Sequence, residues 1–110
     1  MAQWDVLIDA FVSAVVRETA PEAIVLFGSR ARGDGREDSD TDLLVVRSAA
    51  FGPGDSRWDE LARLWAIAGR LRMPADLVLY SHSEIDRWRN VRGHLISRAL
   101  TEGRHLYGSI

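Results

Sequence analysis

Apolar positions recur along this chain with two periods, one helical and one strand-like. From about Ala2 to Thr19, Trp4, Leu7, Ile8, Phe11, Val12 and Val15 fall on one stripe, and Asp9, Arg17 and Glu18 fall off it. The spacing predicts an amphipathic helix, stopped before Pro21. Glu22 to Phe27 is a short run ending Ala-Ile-Val-Leu-Phe, bounded by Pro21 and Gly28. Its length and branched residues predict a buried strand. Gly28 to Ser39 holds three glycines and nothing apolar larger than Ala31, which predicts a loop with room for one helical turn. Asp40 to Arg47 reads as a second strand, polar at its start and apolar at its end. Gly52, Pro53 and Gly54 mark a turn, and Asp55 or Ser56 can cap the helix that follows.

That helix carries Trp58, Leu61, Leu64, Trp65, Ala68 and Leu71 on its expected core side and stops at Pro74. Ala75 to Tyr80 predicts a third strand. A last helical region starts at Ser83 and carries Ile85, Trp88, Leu95, Ile96, Leu100 and Leu106, with a break near Asn90 to Gly93. Trp4, Trp58, Trp65 and Trp88 are expected in core packing. Helices alternating with short strands imply an α/β (α+β) layer fold. The expectation is a small mixed sheet of three to four strands, packed by about four helices.

Composition narrows the classes. The chain has 110 residues, which sets the expectation of a single domain over residues 1–110. Apolar residues make up 46% and charged residues 27%, which excludes a disordered tail or a collagen-like repeat. No run reaches the roughly 18 apolar residues of a membrane span, and no secretory signal pattern is present, so a cytoplasmic protein without membrane contact is expected. Absent cysteine excludes disulfides and thiolate chemistry. The net charge of −2 argues against stable nucleic-acid binding through the backbone. All 14 basic residues are Arg, so P-loop and Schiff-base lysines are excluded.

The chemistry concentrates between the first two strands. Asp40 and Asp42 stand two apart, so both carboxylates project from one face of the strand, followed on that face by Leu44 and Val46. Like charges this close drive one group to take up a proton unless a cation is present. Mg²⁺ resolves the conflict, held by carboxylates and substrate phosphates. Asp76, in an otherwise apolar strand, is a third acid. If the second and third strands are neighbours it lies beside the pair, and three carboxylates suffice for two metals. Gly28-Ser29 directly after the first strand permits close backbone approach to an anion, and Arg30, Arg32 and Arg36 supply positive charge. Singly, Gly-Ser is an ordinary turn and Asp-x-Asp an ordinary solvated strand edge. Together, at this spacing, they arise by chance in roughly one chain in a thousand of this length.

Gly28-Ser29-x10-Asp40-x-Asp42, with Arg30-Ala31-Arg32-Gly33 inside it and Ser39 before the first acid, resembles the polymerase-β-type nucleotidyltransferase superfamily. The brevity resembles its minimal (MNT) branch. The resemblance implies a polymerase-β-like core in which Asp40, Asp42 and Asp76 bind two metal ions, Mg²⁺ or Mn²⁺. It implies that Gly28 and Ser29 hold the triphosphate of ATP, with Arg30, Arg32 and Ser39 beside them. It further implies an antitoxin that transfers AMP to a tyrosine of a partner HEPN-domain RNase toxin. Two other classes stay open: a small-molecule nucleotidyltransferase of the aminoglycoside type, and an antitoxin that acts by occlusion. His82, His94 and His105 lack metal-ligand spacing and read as surface or helix-end residues. Arg87, Arg89 and Arg92 read as a solvated helix face or as a partner contact.

Overall fold

The structure is a computed structural model that describes residues 3–36 and 39–110. Helix α1 spans Gln3–Thr19, β1 Ala23–Phe27, α2 Gly28–Arg32, β2 Thr41–Arg47 and α3 Arg57–Arg70. They are followed by β3 Ala75–Ser81, α4 His82–Trp88, α5 Leu95–Glu102 and β4 Arg104–Gly108. The architecture is α+β, with five helices among the described residues on a four-stranded mixed sheet of order β3-β2-β1-β4. β1 is antiparallel to β2 and β4, whereas β2 and β3 run parallel.

Each face of the sheet has its own core. Ile24, Leu26, Leu43, Val45, Leu77 and Leu79 pack against Ile8, Phe11 and Val15 of α1 and Leu64, Ile67 and Ala68 of α3. The alternate residues, Ala23, Val25, Leu44 and Val46, pack against Ile85 of α4 and Ile96 and Ala99 of α5. A strand covered on both faces reads as a continuous apolar run, as β1 and the end of β2 do. Ser56 caps α3 by accepting the Trp58 and Asp59 N–H groups at 3.0 and 3.4 Å. Ser81 caps α4 in a capping box with Glu84.

Two expectations are corrected, at Leu106 and on α3, and a third is borne out. Leu106 is not helical: it lies in β4, an edge strand that pairs with β1. The segment is too short to show alternation, and only its partner makes it a strand. The one helical turn expected in the loop after β1 is α2, closed by Gly33 in the left-handed region at φ 84°; Glu37 and Asp38 of that loop, and Ala2 at the expected helix start, lie outside the described residues. On α3, Trp58 and Trp65 are 74% and 43% exposed, and Ile67 is buried instead. That helix has apolar residues on both sides, so periodicity alone could not choose which one faced the sheet. Trp4 and Trp88 are partly buried against the two cores, as expected.

Candidate active site

The parallel register of β2 and β3 sets Asp42 directly beside Asp76. The antiparallel register of β1 and β2 sets Asp42 beside Phe27, the last residue before Gly28. Asp42 alternates in phase with Leu44 and Val46, so it projects on the α4/α5 side. Asp40 directly precedes β2 and is exposed, as is Asp76. Burial holds the half-buried Asp42 carboxyl above its ordinary aspartate range. The Asp76 and Asp40 charges push the same way, and Arg32 and Arg30 partly offset them.

Gly28 is required by both conformation and space. Its φ is +74°, and a Cβ there would run into Oδ2 of Asp42. The carboxylate therefore lies against the backbone at the start of α2. That first turn has no side-chain cap, so its N–H groups are not claimed by a capping side chain. Ser29 occupies this turn, and its carbonyl accepts the Asp34 N–H at 3.1 Å.

The remaining predicted residues divide. Arg30 is buried, with its guanidinium 4.7 Å over the Trp4 ring and a hydrogen bond to the Ser39 carbonyl. Its described contacts tie α2 to α1 and to the loop. The Ser39 hydroxyl accepts the Arg36 N–H at 2.9 Å and so closes a loop turn. Arg32 is exposed, 3.5 Å from Asp34 and 3.7 Å from Glu102, and it borders a cavity. This cavity of about 300 Å³ is lined by Phe27, Gly28, Arg32, Asp42, Gly93, Leu95, Arg98 and Glu102. The structure thus brings Gly28, Arg32 and Asp42 together at one opening, with Asp76 in register beside Asp42.

Sequence reasoning missed the α5 wall, Leu95, Arg98 and Glu102. The helical period marks Leu95 as apolar but does not say which strand end α5 crosses. Of the other candidates, Arg87 and Arg92 are exposed, and Arg89 reaches Asp86 and the Ile110 carbonyl, each at 3.5 Å. His82 is exposed against Glu22, His105 is exposed on β4, and His94 caps α5 while stacking on Trp88 at 4.6 Å. These are the surface and helix-end positions expected of them.

The donor set suits a hard divalent cation, because all three acids offer carboxylate oxygen alone. The raised carboxyl of Asp42 marks a place where positive charge is wanted. Among the described residues, no three acidic or histidine side chains stand close enough to enclose an ion unaided.

The sequence model of the family described as polymerase beta, nucleotidyltransferase matches residues 11–109. No curated protein sequence matches the chain. Among solved structures, the chain is similar to a nucleotidyltransferase from Sulfolobus solfataricus, at 25% identity and TM-score 0.57, over 93% of this chain and 78% of that one. It is similar to a structure described as a minimal nucleotidyltransferase, at 33% identity and TM-score 0.56, over 92% and 90%. A third similar structure is a toxin-antitoxin with AMP-PNP, at 28% identity and TM-score 0.58, over 90% and 72%.

Proposed function

The chain belongs to the polymerase β nucleotidyltransferase family, and on that premise we propose that it moves AMP from ATP to a tyrosine of a partner HEPN-domain RNase toxin. The observation that carries the reading is Asp42, pressed against Gly28 at the mouth of the cavity and paired in register with Asp76 across β2 and β3. Two of the similar structures add support. One is the toxin-antitoxin with AMP-PNP. The other is a mutant of the toxin-antitoxin MntA-HpeT in which two aspartates, two positions apart, are changed to glutamate. The spacing is that of Asp40 and Asp42.

In this reading the acceptor oxygen attacks the α-phosphorus, the bond to the β-phosphate oxygen breaks, pyrophosphate leaves and the hydroxyl proton passes to water. Backbone N–H groups at Gly28 and Ser29 orient the triphosphate, and the Ser29 hydroxyl donates to it. Arg32 at the cavity rim offsets phosphate charge. Asp40, Asp42 and Asp76 would hold Mg²⁺ or Mn²⁺, which supplies charge neutralisation and a lowered acceptor pKa. Phe27 and Leu95 give the cavity an apolar wall. The open side of the cavity leaves the acceptor to be presented by another molecule.

Co-expression with the partner toxin tests this by intact mass. The toxin gains the mass of one or more AMP groups on tyrosine and stays inactive after the two proteins are separated. Ser29→Ala combined with Asp40→Asn leaves it unmodified and the cells poisoned. Full protection by that double variant would overturn catalysis in favour of occlusion.

A further inference from the structure

Helix α5 gives the cavity a wall of three side chains. Leu95, Arg98 and Glu102 stand three and four apart, so they share one face of the helix. Ile96 and Ala99, on the adjoining face, are buried in the core that β1 and β2 share with α4. That burial fixes the roll of α5 and keeps the wall on the cavity, which Gly28 and Asp42 border too. The charged groups there are not equally engaged. Arg32 and Glu102 pair with each other at 3.7 Å, and Arg32 reaches Asp34 at 3.5 Å. The backbone N–H of Arg98 donates to the His94 carbonyl at 3.0 Å. Its guanidinium has no hydrogen bond or ion pair among the described residues. Glu102, four residues on, is the natural helical partner for it, yet it turns to Arg32 instead. A guanidinium keeps its proton and offers five donors in a fixed fork, which suits an anion with several oxygens.

We infer that Arg98 binds the polyphosphate from the α5 side, a role that rests on the triphosphate site proposed at Gly28 and Ser29. A cavity of about 300 Å³ is at the small end of ligand sites, so an anion held at Gly28 is within a long side chain's reach of α5. Charge explains why α5 must contribute. Without Arg98, Asp42 and Glu102 outweigh Arg32 at the cavity, and a triphosphate is repelled. With Arg98 the four charges cancel, and the metal that accompanies ATP favours the anion. Glu102 acts the other way. It holds Arg32, so a phosphate oxygen must displace a carboxylate to bond that guanidinium. Opposite effects are therefore expected from two residues one turn apart.

Isothermal calorimetry of the protein alone, with Mg²⁺ and with inorganic tripolyphosphate, ATP and adenosine as probes, tests this. Arg98→Gln should weaken tripolyphosphate and ATP alike by about tenfold, and leave adenosine unchanged. Arg98→Lys should recover part of the loss, as a point charge without the fork. Glu102→Gln should strengthen both phosphate probes by about threefold. Arg87→Gln removes the same charge from an exposed position on α4 outside the cavity, and should change them by less than about twofold. Arg98 is exposed, so an unchanged melting temperature separates lost binding from lost fold. Should Arg98→Gln weaken tripolyphosphate no more than Arg87→Gln does, the assignment is overturned and the nucleotidyl-transfer reading stands. Weaker ATP with unchanged tripolyphosphate would also overturn it, because Arg98 would then serve the nucleoside. If the unaltered protein bound neither phosphate probe, the triphosphate site itself would fall, and the role of Arg98 with it.

Discussion

Strand β2 carries a charged residue toward each end, and the two are treated in opposite ways. Arg47 is 9% exposed, yet its guanidinium is filled by the chain itself. It donates to the Ala49 and Ala50 carbonyls at 2.7 and 3.0 Å, to Asp55 at 2.9 Å and to Glu60 at 3.1 Å, and it lies 4.3 Å over the Phe51 ring. Arg57 also lies over that ring, 4.5 Å from its centre, and donates to the Leu79 carbonyl and to Glu84. Asp42, five residues earlier, feels the Asp76 and Asp40 charges, only partly offset by Arg32 and Arg30, and no hydrogen bond to its carboxylate is found among the described residues. A buried charge that its own chain satisfies is architecture. A cluster of like charges that the chain leaves unsatisfied is held ready for something from outside, and the rest of the fold carries its cost.

The largest effect expected from this contrast is at Asp42. Asp42→Asn should lower nucleotidyl transfer at least about 10³-fold. Its folded carboxyl sits above the ordinary range, so its ionisation opposes folding. That penalty is absent below both pKa values and grows as pH rises through the folded one. Without metal, the melting temperature of Asp42→Asn should therefore exceed that of the unaltered protein at neutral pH. The gain should vanish in acid, below about pH 4. A lower melting temperature at neutral pH would show Asp42 to be structural.

Gly28→Ala comes next. Strain at a positive φ and collision with the Asp42 carboxylate should cost about 1–3 kcal/mol in urea unfolding. Transfer should fall about 100-fold, because the carboxylate and the turn must part. At the other end of β2, Arg47→Met should cost about 2–3 kcal/mol through the carboxylates and carbonyls it leaves behind. Transfer per folded molecule should be unchanged, and a loss would join the two ends of the strand functionally.

The smallest effect belongs to His82, which sits 2.6 Å from Glu22 and 3.3 Å from Asp86. The hydrogen bond and charge of Glu22, then Asp86, raise its pKa above the ordinary histidine value. Its contribution is complete below that ordinary value and is lost as pH rises through the folded one. The melting temperature should drift down slightly across that window, and His82→Gln should flatten the drift.

Local pattern alone determined much of this protein. The stripe of α1, the apolar runs of β1 and β2, the Ser56 cap and the break before Leu95 all follow from interactions within a few residues. So does the place of Asp42 on the face of Leu44 and Val46, because alternation is a property of a single strand. The tertiary structure decided what depends on residues far apart in the chain. That Asp76 lies beside Asp42 follows from β2 and β3 pairing in parallel at one register, which no local period encodes. Residues 104–108 became an edge strand because β1 had a free side to pair. Arg98 and Glu102 reached the cavity because α5 crosses the end of β1 that bears Gly28. Trp58 and Trp65 faced outward because α3, apolar on two sides, could bury only one of them against the sheet, and Leu64 with Ile67 filled that space.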